Sequence, residues 1–143
     1  MIRALSVVAA IAISATAVYA QNAAIDQRQA AMKAIAAAAK EPGAVMKGEA
    51  KFDLQKIHGS LAVYEEQATK LKSLWPDDSN SGATYALPSV WTKKDEFIAR
   101  FDKMAADAKA AAASIKDEAS FKAEWPKVMS SCGGCHREYR KPQ

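Results

Sequence analysis

Cysteine and histidine are nearly absent from this chain. Of its 143 residues two are cysteine, Cys132 and Cys135, and two are histidine, His58 and His136. So small a stock leaves little for structural zinc, which asks for four Cys or His ligands. Beyond the C-terminal cluster only His58 remains, and a closed site would draw on carboxylates. Strand patterns are missing near the two cysteines, so a thioredoxin-like redox pair, which sits in a βαβ setting, lacks its context. After the first twenty residues no apolar run is long enough to span a bilayer. There is no repeat of solenoid period and no low-complexity tail. Charge of either sign is close to balanced: Lys and Arg number 20, Asp and Glu 16, for a formal net charge of +4. Setting aside Arg3, the only charge in the apolar N-terminal segment, leaves +3. That is well short of a nucleic-acid-binding composition.

The two cysteines and one of the histidines stand together, in Cys132-Gly133-Gly134-Cys135-His136. This C-x-x-C-H spacing is the attachment signature of c-type haem. Each sulfur can bond one haem vinyl carbon, and the adjacent histidine then supplies an axial nitrogen to the iron. The N-terminus points the same way. Met1-Ile2-Arg3, an apolar stretch from Ala4 to Val18 and the small-residue end Val18-Tyr19-Ala20 predict a signal peptide over residues 1–20, cleaved after Ala20. The apolar run is short for a spanning helix of about 20 residues. Residues 21–143 then form one mature domain, located in the periplasm, where bacterial haem attachment of this kind takes place.

Apolar residues recur at spacings of three and four through most of that domain, the helical signal. A first segment, about residues 24–40, carries Ile25, Met32 and Ile35 among alanines, and Pro42-Gly43 is expected to break it. A second starts at Asp53, a suitable N-cap, and aligns Leu54, Ile57, Leu61, Tyr64, Ala68 and Leu71, ending at Trp75-Pro76. A turn-rich loop follows to Pro88. The third segment runs from Ser89 with Val90, Phe97, Phe101, Met104, Ala108, Ala111 and Ile115 on one stripe. The fourth, about residues 117–139, aligns Phe121, Trp125, Val128, Cys132, Cys135 and Tyr139, with Pro126 expected to kink or restart it. Four helices with mostly short connections predict an all-α, antiparallel up-and-down four-helix bundle.

On the fourth helix Cys132, Cys135 and His136 share a face and point into the core. Gly133 and Gly134 each cost about 1 kcal/mol relative to alanine in a helix interior; either their missing side chains let backbone and porphyrin edge approach, or covalent haem supplies enough stability to absorb the penalty and they are simply tolerated. The other axial position decides the chemistry, because methionine opposite histidine gives a saturated iron of raised potential. Met32, Met46, Met104 and Met129 are the candidates. Met129 lies on the same helix as His136, Met46 sits in the first connection, and Met104 lies on the core stripe of the third helix. Met32 lies mid-stripe among Ala30, Ala31, Ala34 and residues 36–39, where small neighbours leave space for a flat macrocycle. His58, beside the stripe of the second helix, reads as an edge histidine.

A four-helix pattern with C-x-x-C-H in the last helix resembles the class II c-type cytochromes, cytochrome c′ and its low-spin cytochrome c-556 relatives. The resemblance covers essentially the whole mature chain and is most specific at residues 25–33 and 132–140. It implies one covalently attached haem c on Cys132 and Cys135 with His136 as axial ligand. It also implies Met32, four residues after Arg28, as the sixth ligand of the c-556 type, and Arg28 and Arg140 near the haem propionates. The function it implies is one-electron transfer in the periplasm with transient redox partner proteins, the cytochrome being a monomer or homodimer. Arg137, Arg140 and Lys141 are candidates for steering an acidic partner. The alternative is a five-coordinate, cytochrome c′-like NO- or CO-binding protein. An enzyme is not expected, since a haem peroxidase or reductase wants polar acid/base groups over the iron and the surroundings of Met32 are alanines.

Overall fold

A computed structural model describes residues 23–142. The expected leader over residues 1–20 lies outside the described residues. Helix α1 covers residues 23–38 and is followed by α2 (Lys40–Met46), α3 (Leu54–Leu71), a 3₁₀ turn (Asp77–Ser79), α4 (Ser89–Thr92), α5 (Lys94–Ser114) and α6 (Glu118–Tyr139). The long helices α1, α3, α5 and α6 are the four expected from the periodicity, and they form the bundle. Among the described residues no helix is long and apolar enough to cross a membrane.

The stripes face one core. Ile57, Leu61, Tyr64, Ala68 and Leu71 of α3 are buried, as are Phe97, Phe101, Met104, Ala108 and Ala111 of α5 and Phe121, Trp125 and Val128 of α6. Helix α5 packs against both α3 and α6. Aromatic rings fill it in edge-on pairs, Tyr64 against Trp125 at 5.7 Å and Trp75 against Phe97 at 4.5 Å between centroids, the arrangement that ring quadrupoles favour.

Local signals set the starts of α3 and α6. Asp53 caps α3 by accepting from the N–H groups of Gln55 and Lys56. Asp117 caps α6 in a capping box with Ser120, whose hydroxyl serves the Asp117 N–H in return. His58 Nε2 lies 3.1 Å from the Ile115 carbonyl oxygen, so this histidine ties α3 to the end of α5.

Several boundaries depart from the pattern reading. Pro42-Gly43 does not end the first helical stretch; the break falls at Ala39, and Pro42 sits buried in the first turn of α2, where a missing N–H leaves no bond unmade. Helix α3 ends at Leu71, four residues before Trp75, which frees Trp75 to turn its ring onto Phe97 and Phe101. The third segment divides at Lys93, whose φ of −125° and ψ of 42° leave the helical range. Pro126 lies inside α6 without ending it.

The Asp117 cap gives a pH-dependent prediction. The Ser120 hydrogen bonds hold the Asp117 carboxyl below its ordinary 3.8. A depressed folded-state pKa contributes stability above the unfolded value and loses it as pH falls through the folded one. Asp117→Ala should therefore unfold at lower denaturant concentration than the parent at neutral pH, and the gap should close as the pH is taken below 3.8. Denaturation midpoints across pH check this.

Candidate haem site

Helix α6 presents the C-x-x-C-H residues on consecutive turns, and all three contribute to one cavity of about 570 Å³. Its walls come from every long helix and one loop: Met32 and Ile35 from α1, Tyr64 from α3, Phe97 and Phe101 from α5, Thr84 to Ala86 from the α3–α4 connection. The size lies within the usual range for cofactor sites, and the lining is the usual apolar wall with few polar groups. Arg28, Met32, Cys132, Cys135, His136 and Arg140, separated by up to 112 positions in the chain, all line it. Met104 and Met129 line it as well, whereas Met46 does not.

The titration states suit haem attachment. Both thiols are free and half-buried, and burial pushes each above its ordinary pKa. At Cys135 the charge of Arg100 acts the other way, and burial outweighs it. His136 is held below its ordinary pKa by burial first and by Arg140 second, so its imidazole is neutral at pH 7 and has a nitrogen lone pair for a metal. Among the described residues no three His, Cys, Asp or Glu side chains gather into a separate metal site. Tyr64, pushed up to about 12 by burial and then by Cys132, stays neutral and donates its O–H to Met129 Sδ at 3.5 Å. That bond occupies one of the two other thioethers on the cavity wall.

Arg28 is the polar residue that periodicity alone did not place. It is 4% exposed, with Nη1 donating to Ser79 Oγ at 2.9 Å and Nη2 to the Ser79 carbonyl at 3.1 Å. Its guanidinium lies 4.4 Å from the Trp75 ring centroid and 5.9 Å from that of Trp91. Burial pulls its pKa down to about 10, so it remains a cation, and its hydrogen-bond partners are neutral. A buried cation without an acid beside it is costly. Trp75, also on the cavity wall, carries a buried Nε1–H with no hydrogen-bond partner among the described residues. A flat apolar group bearing carboxylates fits these requirements: its ring would meet the aliphatic and aromatic walls, and a carboxylate would offset Arg28. The residues present therefore fit haem.

Gly133 and Gly134 have open surroundings. A Cβ at either meets no protein atom within 4 Å, so the protein's own packing does not demand glycine there.

The family profile of cytochrome c′ matches residues 23–140. The cytochrome c′ of Rhodopseudomonas palustris is 44% identical over 122 residues, spanning 85% of this chain and 84% of the relative. The cytochrome c-556 of the same organism is 28% identical over 145 residues, covering 98% of this chain and 97% of its own. A solved structure of R. palustris cytochrome c′ superposes with a TM-score of 0.82 at 43% identity, covering 84% of this chain and 97% of that one. The R. palustris cytochrome c556 structure gives 0.76 at 26% identity, with 84% and 97% covered. The chain belongs to the cytochrome c′ family, whose fold is the four-helix bundle and whose cofactor is covalently attached haem c.

Two substitutions test these assignments. Arg28→Leu should cost about 2 kcal/mol, the scale of lost charge-assisted hydrogen bonds, and should speed amide exchange across residues 74–79. Gly133→Ala should leave haem attachment intact and raise stability by up to about 1 kcal/mol; denaturant unfolding of the haem-loaded protein measures both.

Proposed function

We propose that this protein is a periplasmic one-electron carrier whose haem iron is held between His136 and Met32. The observation that carries the reading is that Met32 of α1 and His136 of α6 line the same cavity, which also holds both attachment cysteines. Bound haem c supplies an Fe(III)/Fe(II) couple. The chain's residues do the rest. Cys132 and Cys135 would hold the haem covalently, and neutral His136 and the Met32 thioether would ligate its iron, the thioether raising the potential. Arg28, and Arg140 at the end of α6, offset the propionate charges. The lining is mostly apolar and, among the described residues, holds no Asp or Glu and no histidine besides His136, which favours a carrier with transient redox partners over a peroxidase-type enzyme.

A second reading has its own support: identity to a cytochrome c′ is 44%, against 28% to a cytochrome c-556. In that reading Met32 does not bond and the open iron position takes NO or CO.

Absorption spectra of the haem-loaded protein, oxidised and reduced, before and after CO, separate the two. The carrier should be low-spin with a thioether–ferric band, unmoved by CO, and Met32→Ala should lose the band and bind CO. High-spin spectra that shift promptly with CO and ignore the substitution would overturn the Met32 ligand.

A further inference from the structure

The rim of the haem cavity has a surface chemistry of its own. Tyr85 is 54% exposed and also lines the cavity, so it stands where the cavity meets solvent. Its backbone is firmly mounted. The Lys141 N–H donates to the Tyr85 carbonyl at 2.8 Å, and the Leu87 N–H to the Tyr139 carbonyl at 2.9 Å. Lys141 Nζ donates to the Thr84 carbonyl at 3.2 Å, and Gln29 Nε2 to the Ala83 carbonyl at 2.9 Å. A short antiparallel bridge joins Ala86 to Arg140. An aromatic ring is thus held outward by bonds from both α1 and the end of α6.

Formal charge on this rim has one sign. Arg28, Lys33, Arg100 and Arg140 line the cavity and no Asp or Glu does. Arg28 is buried and Arg100 pairs with Glu138, so the outward charge rests on Lys33, Arg140 and Lys141. Among the described residues none of these three meets a carboxylate within 4.0 Å. Glu138, two residues before Arg140, is turned to Lys93 and Arg100.

We propose that this rim, Tyr85 set among Lys33, Arg140 and Lys141, is the docking face for an acidic one-electron donor protein; this rests on the carrier reading above. A rigid tyrosine gives large contact area at small entropic cost, and tyrosines are enriched among the residues that dominate binding. The basic rim speeds encounter with an acidic surface and rejects basic ones. The contact area of such an encounter is small, which suits rapid exchange. A second copy is the poorer occupant, because a two-fold interface brings the same patch, and so the same charge, onto itself. On docking, one electron passes from donor to haem iron; no bond forms or breaks and no proton moves.

The test uses the haem-loaded protein and an acidic plant-type [2Fe–2S] ferredoxin as the probe. NMR titration of the ¹⁵N-labelled cytochrome should shift residues 83–87, Lys33, Arg140 and Lys141. Stopped-flow reduction by the reduced ferredoxin should slow as salt is raised. The Lys33→Glu/Lys141→Glu double variant should lose about tenfold or more in rate at low salt and most of the salt dependence. Lys109→Glu/Lys116→Glu, the same charge change toward the far end of α5, should stay within about twofold. Tyr85→Ala should weaken the complex about tenfold while Tyr85→Phe retains it. Equal losses in the two double variants, or shifts that map away from the rim, would overturn the docking face. Prompt CO binding would sink the carrier reading instead, and the NMR map would still decide whether this face docks an acidic protein.

Discussion

Burying a guanidinium without a carboxylate beside it runs against the usual economy of protein interiors, and much of this site hangs on Arg28 doing so. Its bonds to Leu74 and Ser79, and its place over the rings of Trp75 and Trp91, fasten α1 to the connection that follows α3. Once that connection is fastened, Trp75 completes the aromatic wall with Phe97 and Phe101, and residues 84–86 reach the cavity. The guanidinium is satisfied in part by neutral oxygens and ring faces. What it still calls for is negative charge, which haem carries in its carboxylates.

The motif and the stripes were readable because each is a local regularity. C-x-x-C-H places two attachment sulfurs and one ligating nitrogen by helix geometry alone, and residues such as Ile57, Leu61 and Phe101 announce their burial by spacing. Met32 was reachable only by adding the resemblance to periodicity, since a mid-stripe methionine equally fills a core. The Arg28 clamp and the Ala86–Arg140 bridge had no local signal: their partners are far apart in sequence, and nothing in Ser79 or Ala86 marks them. Pro42 misled for a related reason. Proline is costly in a helix interior but harmless in its first turn, and where the first turn falls depends on the break at Ala39.

Family membership fixes the scaffold and the covalent chemistry while leaving the reactivity to very few side chains. Cytochromes c′ and c-556 both superpose well on this chain. In the carrier proposed above, the difference between a closed iron and an open one would be carried by α1, which brings Met32 to the cavity wall. Met129, the neighbouring thioether on the wall, is occupied by the Tyr64 hydroxyl.

The connectivity of the cavity walls has a kinetic consequence. Helices α5 and α6 are joined by residues 115–117 alone, so their pairing is local and closes early, carrying the two thiols into a formed helix. The walls supplied by α1 and by residues 84–86 depend on contacts across 51 residues between Arg28 and Ser79 and 57 between Thr84 and Lys141. Contacts of such separation form late, because the chain entropy of closing them must be met first. On loop length alone, that side of the cavity is expected to close last, which would leave a way in for a rigid, flat group until then.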